Sequence, residues 1–282
     1  MDLEISGGVG NLSFDKNRTT ALSDEEGAFS ARYYPLILVR LSAEFNRLSF
    51  DSGYERDPLM RNRLFANLKF ENDYFLLEAG PFIGLFNTGK FSLNPGISGG
   101  FGLMVPGILF FKAAGSSTLG APMEINDNYY MNYGSLSAGF WVPHVICSLN
   151  INVKNFSVRE QPYVLIEDRL LRYYFRADVY TKNMPYTIRV DLGYQNLSRS
   201  YTTDKISDDT ILNATTTDEF KSVFLGLEVS YTVNPFIKVF LAGEMPVYSW
   251  GVRPMKDPPK ERILFQARTG VVLTLSGRQQ TQ

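Results

Sequence analysis

The feature that most constrains this chain is a period of two. From 134 to 142 the residues alternate, with Gly134, Leu136, Ala138, Phe140 and Val142 on one side and Ser135, Ser137, Gly139 and Trp141 on the other. After Pro143-His144 the alternation resumes, Val145, Cys147, Leu149, Ile151 and Val153 against Ser148, Asn150, Asn152 and Lys154. Successive side chains of a strand point to opposite faces, so this pattern specifies two-faced strands and excludes an amphipathic helix. A two-residue turn at Pro143-His144 sets Val142 opposite Val145, Phe140 opposite Cys147 and Leu136 opposite Ile151. Apolar meets apolar at every rung, as a hairpin register requires.

The construction recurs. Asn72-Asp73 joins 61–71 to 74–86 and sets Leu68 opposite Leu77 and Asn67 opposite Glu78. A turn at 182–185 joins 170–181 to 186–197, and its apolar register brings Arg176 against Asp191 and Asp178 against Arg189. Opposite charges falling on shared rungs support the register. Pro106-Gly107, Val233-Asn234-Pro235 and Tyr34-Pro35 mark further tight turns. Between them lie polar segments, near 16–26, 50–60, 87–95, 117–131, 158–168, 199–219 and 247–261, that suggest long loops. Short turns and long loops therefore alternate and delimit about fourteen strands, or twelve if the first hairpin is absent. The expectation is one domain over 1–275 with a polar tail at 276–282.

The two faces differ in chemistry. Phe75, Leu77, Ile83 and Leu85, or Val223, Leu225, Leu227 and Val229, form faces without charge. Opposite them stand Arg61, Arg63, Asn67 and Lys69, or Ser222, Gly226, Glu228 and Ser230. Aromatic residues, 14% of the chain, gather near the tight turns (Tyr33, Phe70, Phe75, Phe140, Tyr186, Tyr231, Phe236) and near the long loops (Phe14, Phe29, Phe156, Tyr173, Tyr194, Phe265). Two aromatic girdles around an apolar band are the signature of a transmembrane barrel. No apolar run is long enough for a spanning helix, but a barrel needs only short alternating strands. The fold class expected is all-β, an antiparallel up-and-down transmembrane β-barrel.

As a whole the chain resembles the small bacterial outer-membrane β-barrels, and in size and strand number the monomeric fourteen-stranded porins of the outer-membrane porin G type. The resemblance is architectural and covers nearly the full length; no family motif accompanies it. Such barrels usually end in an aromatic residue on the last strand, whereas Ser276-Gly277-Arg278-Gln279-Gln280-Thr281-Gln282 follows here. The fourteen-stranded long-chain fatty-acid transporters carry an N-terminal plug; this chain begins with strand-like Leu3-Glu4-Ile5, so that likeness is weaker. The resemblance implies an outer-membrane location and the barrel assembly machinery as a partner during biogenesis. The start, Met1-Asp2-Leu3-Glu4, has no basic segment followed by an apolar run. By itself that fits a cytosolic protein or equally a mature exported form, without signal peptide, with an added initiator Met; the resemblance implies the second.

Fourteen strands enclose more space than side chains readily fill, so a water-filled lumen is expected unless a loop folds in. The inward candidates are Arg40, Glu44, Arg61, Arg63, Lys69, Glu78, Lys112, Arg172, Arg176, Asp178, Arg189, Asp191, Glu228, Lys238, Glu244 and Arg268, with Glu26, Arg32 and Lys154 beside them. Basic residues exceed acidic ones in this set, which predicts a mild preference for small anions. Arg176–Asp191 and Arg189–Asp178 have the look of structural pairs, whereas Arg61 and Arg63 have no rung partner in this register.

Other chemistry finds little footing. His144 and Cys147 are the only residues of their kinds and sit three apart, but the histidine falls in a tight turn and the cysteine on an apolar face. Asp204, Asp208 and Asp209 lack the spacing and glycine of an EF-hand. The run Gly96-Ile97-Ser98-Gly99-Gly100-Phe101-Gly102 precedes no helix and reads as wall glycines rather than a phosphate loop. A net charge of −1 gives no bulk attraction to nucleic acid. No cofactor, metal or enzymatic activity is expected. The function expected is passive diffusion of small polar or anionic solutes by a monomer in a lipid bilayer. A substrate-specific channel, including one for apolar ligands such as fatty acids, is the first alternative; a structural or adhesin barrel acting through its loops is the second.

Overall fold

The computed structural model describes residues 1–14, 29–30, 33–57, 61–87, 91–119, 129–161, 164–180, 184–207, 210–251 and 264–275. Strand β1 (Asp2–Gly10) is followed by two dipeptide strands, β2 (Ser13–Phe14) and β3 (Phe29–Ser30), that pair with each other. Then come β4 (Tyr34–Phe45), β5 (Leu48–Asp57), β6 (Arg61–Glu71), β7 (Phe75–Asn87), β8 (Phe91–Val105) and β9 (Leu109–Thr118). The second half comprises β10 (Tyr129–Val142), β11 (Val145–Gln161), β12 (Val164–Tyr180), β13 (Tyr186–Ser207), β14 (Thr210–Asn234), β15 (Ile237–Gly251) and β16 (Gln266–Thr274). From β4 onward each strand pairs with the next in sequence, and β1 bridges β4 and β16, closing a fourteen-stranded antiparallel barrel.

The hairpin at 134–154 has the register its alternation predicts, with Val142↔Val145, Phe140↔Cys147 and Leu136↔Ile151. Arg176↔Asp191 and Asp178↔Arg189 also hold. Elsewhere the sequence reading needs correction. The β6–β7 ladder is shifted by two, pairing Leu68 with Ala79 and Lys69 with Glu78. The cause is the turn: Asn72 Oδ1 accepts from the amides of Tyr74 and Phe75 at 2.8 Å, so the two linking residues are Asp73 and Tyr74. An even shift leaves every side chain on its expected face. Tyr34-Pro35 opens β4 instead of turning; Pro35 lies by the strand end, where a missing N–H is tolerated. The turn falls at Asn46-Arg47, with Asn46 at φ 58°, as His144 is at φ 71° in its own turn.

Three segments expected as loops are ladder. Residues 48–57 form β5, and β11 through β14 extend far past their expected ends. In the β13–β14 hairpin, threonine and serine pair across the strands, Ser200 with Thr217 at 3.1 Å and Thr202 with Thr215 at 3.2 Å. Polar composition resembles a loop, but β-branched residues on facing rungs favour a strand.

The outward face of the wall is apolar and exposed: Leu149 is 67% exposed, Leu241 65% and Leu227 50%. On β12, β13 and β14 this face runs over Leu171–Tyr173–Phe175–Ala177–Val179, Tyr186–Ile188–Val190–Leu192–Tyr194 and Val223–Leu225–Leu227–Val229–Tyr231. Nine tilted residues per strand match the hydrocarbon thickness. A stacked aromatic border, Tyr173–Tyr194 at 6.4 Å and Tyr194–Trp250 at 6.0 Å, ends the band. Beyond it come Arg169, Asn196, Glu219 and Lys221. Hydrogen bonds from Lys221 and then Asn196 hold the Glu219 carboxyl below its ordinary range, outside the band. Phe70 against Phe75 at 5.6 Å lies by the opposite rim. Two aromatic assignments change. Phe156 is buried inside the barrel, and Tyr33 lies at the long-loop end beside Phe265. Phe14, Phe29 and the tail at 276–282 lie outside the described side chains.

A wall of this kind has a depth-dependent tolerance for charge. Leu227→Arg, at the middle of the band, is expected to cost about 2–4 kcal/mol of folding stability, whereas Lys221→Ala, beyond the aromatic border, leaves it nearly unchanged. Urea-induced unfolding in lipid vesicles measures both.

Candidate functional site in the barrel lumen

Only on a concave surface can side chains skip a strand and touch. Arg172 of β12 reaches Glu244 of β15 at 2.5 Å, over β13 and β14. Arg268 of β16 approaches Glu228 of β14 at 3.7 Å, and Ser98 of β8 donates to Asn67 of β6 at 2.7 Å. These contacts fix the inner face, and alternation extends it along every strand. Glycine makes room where they cross: a Cβ on Gly80, between Asn67 and Ser98, would lie 1.9 Å from the Ala66 carbonyl oxygen. The ring of Phe82 likewise lies over Gly96, 2.2 Å from where a Cβ would be.

Among the described residues, two cavities border the inner face. One of about 270 Å³ is bordered by Arg172, Arg176, Arg189, Asp191, Glu228, Glu244 and Arg268, with Leu36, Leu38 and Glu55 on the facing wall. The other, of about 360 Å³, is bordered by Arg40, Asp51, Lys69, Glu78, Lys112, Ser135, Ser137, Asn150 and Asn152. Tyr174 borders both. Its ring lies under Arg176 (5.3 Å) and beside Arg172 (5.6 Å), while Arg172 stacks 4.0 Å over Phe224. Arg172, tied to Glu244 and laid on the Phe224 ring, is thus held in place on the border of the first cavity, beside Tyr174.

Of the inward candidates, most sit in ion pairs. Arg176 and Asp191 form two parallel bonds of 2.7 and 2.8 Å. Arg189 bonds Asp178 at 2.6 Å and reaches Glu228 at 3.3 Å. Arg40 binds Asp51 at 2.6 Å, with Ser42 on the same carboxylate, and Lys69 binds Glu71. Arg63, expected to lack a rung partner, binds Glu55 at 2.6 Å. That partner sits in the segment 50–60, whose strand the sequence disguises as loop. Glu78 faces Lys69 on its rung, and Glu44 faces Ser49. Lys112 forms no ion pair among the described residues; its ammonium lies 5.6 Å over the Phe110 ring. Lys238 shares a rung with Thr232 and Val272. The side chain of Arg61, like Glu26, Arg32, Asp204, Asp208 and Asp209, lies outside the described residues.

The inner face also holds groups the sequence reading passed over. Asp168, Arg199 and Asp218 share one rung across β12, β13 and β14, all buried, with Arg199 bonding Asp168 at 2.5 and 2.8 Å. Asp51, Glu55, Glu71, Asp168 and Asp218 add carboxylates, and Arg199 adds one guanidinium. The expected excess of basic groups therefore disappears. Parity alone carried the signal, since Asp168 and Arg199 continue the faces of Arg172 and Asp191. Phe224 and Phe240, among polar neighbours, are inward aromatic rings. His144 sits at the short-turn end, and Cys147 on the outward face opposite Phe140.

No family profile matches the chain, and no characterised protein matches it by sequence. Among solved structures it is similar to a bacterial polysaccharide outer membrane secretin, at 11% identity and a TM-score of 0.45, over 97% of this chain and 98% of that one. It is also similar to an outer membrane channel from Pseudomonas putida F1, at 9% identity and a TM-score of 0.47, over 96% and 93%. A Pseudomonas aeruginosa FadL homologue gives 13% identity and a TM-score of 0.47, over 96% and 88%. At these values the likeness is one of barrel shape and carries nothing about cargo or activity.

Burial separates the two kinds of charge pair. Arg199→Met removes the cation bonded to the buried Asp168 and is expected to cost about 3–5 kcal/mol. Arg63→Met, at a half-buried pair, costs less than about 1 kcal/mol. Equilibrium unfolding in vesicles reads the difference.

Proposed function

We propose that this protein is a monomeric pore of a bacterial outer membrane that passes small polar solutes. The observation that carries the reading is the pair of polar cavities on the concave side of a lipid-facing, closed barrel, adjoining at Tyr174. The candidate residues from Arg40 to Arg268 line the passage in this reading, with Arg172 and Glu244 bonded across it. Because the lining cations are matched by carboxylates, the field along the path alternates in sign. Small neutral and zwitterionic solutes suit such a path better than anions do, and ion preference is weak. The barrel closes on its own strands, so no second chain is needed to complete the wall. No enzymatic step and no cofactor enter the reading.

A second reading has one observation in its favour. The β13–β14 ladder continues beyond the aromatic border, through Ser200–Thr217 and Thr202–Thr215, as an exposed arm suited to contact with a surface partner. Transport distinguishes the two. In planar bilayers the refolded protein is expected to give discrete single-channel steps with a reversal potential near zero in a salt gradient. Vesicles containing it swell in small polar solutes such as glycine and less in disaccharides. A folded protein with neither current nor swelling overturns the pore reading and leaves the surface role.

A further inference from the structure

We infer that the loop-side half of the lumen is sealed by an apolar layer, and that passage requires this layer to move. Phe82, Met131, Phe156, Val158, Ile166 and Tyr201 form one buried cluster, with Phe65 and Tyr133 packed against it. Their strands place all of them on the concave side. Phe82 follows Gly80, Met131 precedes Tyr133 and Ser135, and Phe156 follows Asn152 and Lys154 on the same face. An inward side chain beside open water is wet, yet Met131 is 0% exposed and Phe156 and Phe82 are each 2% exposed. Among the described residues, this arc of the wall is dry.

Register traces the apolar arc. Phe65 and Phe82 share a rung that runs on through Gly96 to Thr118, and Met131 and Phe156 share one that continues into Asp168, Arg199 and Asp218. Because barrel strands tilt, this line of residues from β6 to β14 runs obliquely to the barrel axis. The polar cavity begins on the turn side of that line, at Glu78, Ser135, Ser137, Asn150 and Asn152. Along this arc the polar lining thus ends at apolar side chains. Water leaves narrow apolar constrictions, and ions stop with it, without any steric plug. The thioether of Met131 is unbranched and polarizable, so this side chain can swing aside at little cost.

Two measurements test this, and only the first rests on the pore reading. In planar bilayers, Met131→Ser combined with Phe156→Ser is expected to raise mean current at least about tenfold over the parent, because the wetted layer conducts. Cys147→Ala, on the lipid face, leaves it unchanged, and heat-modifiable gel migration shows that each variant folds. In the Cys147→Ala background, Ser135→Cys is expected to react with a membrane-impermeant thiol reagent at least about tenfold faster than Met131→Cys, one on each side of the boundary. Equal labelling rates overturn the seal whatever the currents do. A parent that conducts as well as the double serine variant overturns it also. If no variant conducts but the labelling ratio holds, the seal stands and the pore reading falls.

Discussion

A backbone amide placed in hydrocarbon has no water to bond, and everything else in this structure follows from that. Each strand must find partners on both sides, which a sheet achieves only by closing. Closure here is made by β1, which bridges β4 and β16. Once the ladder is closed, alternation has a single meaning: one parity meets lipid and the other meets the lumen. The chain places Leu, Val, Ile and aromatic residues on the first and its charges on the second, and the aromatic stack of Tyr173, Tyr194 and Trp250 marks where the first ends.

The lumen then poses the opposite problem, because charges lining a narrow space lose much of their hydration. The wall answers by pairing. Arg176 with Asp191, Arg189 with Asp178 and Arg63 with Glu55 are matched on rungs, and Arg172 with Glu244 is matched across two intervening strands. Such pairs keep ionic groups inside the barrel without a large net field, and they leave room for water between them. Where the lining changes to Phe82, Met131 and Phe156 the same space becomes dry. One barrel therefore holds two environments on its inner face.

Much of this was legible in the sequence, and the failures are informative. Period two fixed the strand faces, and the apolar register of the β12–β13 hairpin alone placed four charges on their rungs correctly. Pairing across non-adjacent strands was not legible, because Arg172–Glu244 depends on curvature. The β5 segment and the β13–β14 extension were hidden by polar composition, which is shared by loops and by ladders standing in water. With β5 went Asp51 and Glu55, and with them the charge balance of the lumen. Phe156 was a misjudgement of another kind: its parity with Asn152 and Lys154 pointed inward, but its position near a loop suggested a girdle.

The pairing of β1 with β16 has a consequence for how the molecule comes to exist. Asp2 lies against Thr274, and the amide of Leu275 donates to the carbonyl of Met1. The first strand cannot complete its bonds until the last has been made, so the closing contact spans nearly the whole chain. Every hairpin can form locally and early, but the seam between the ends comes late and slowly. Until it forms, β1 and β16 are bare edges, and the partly built sheet is most exposed to mispairing along that one line.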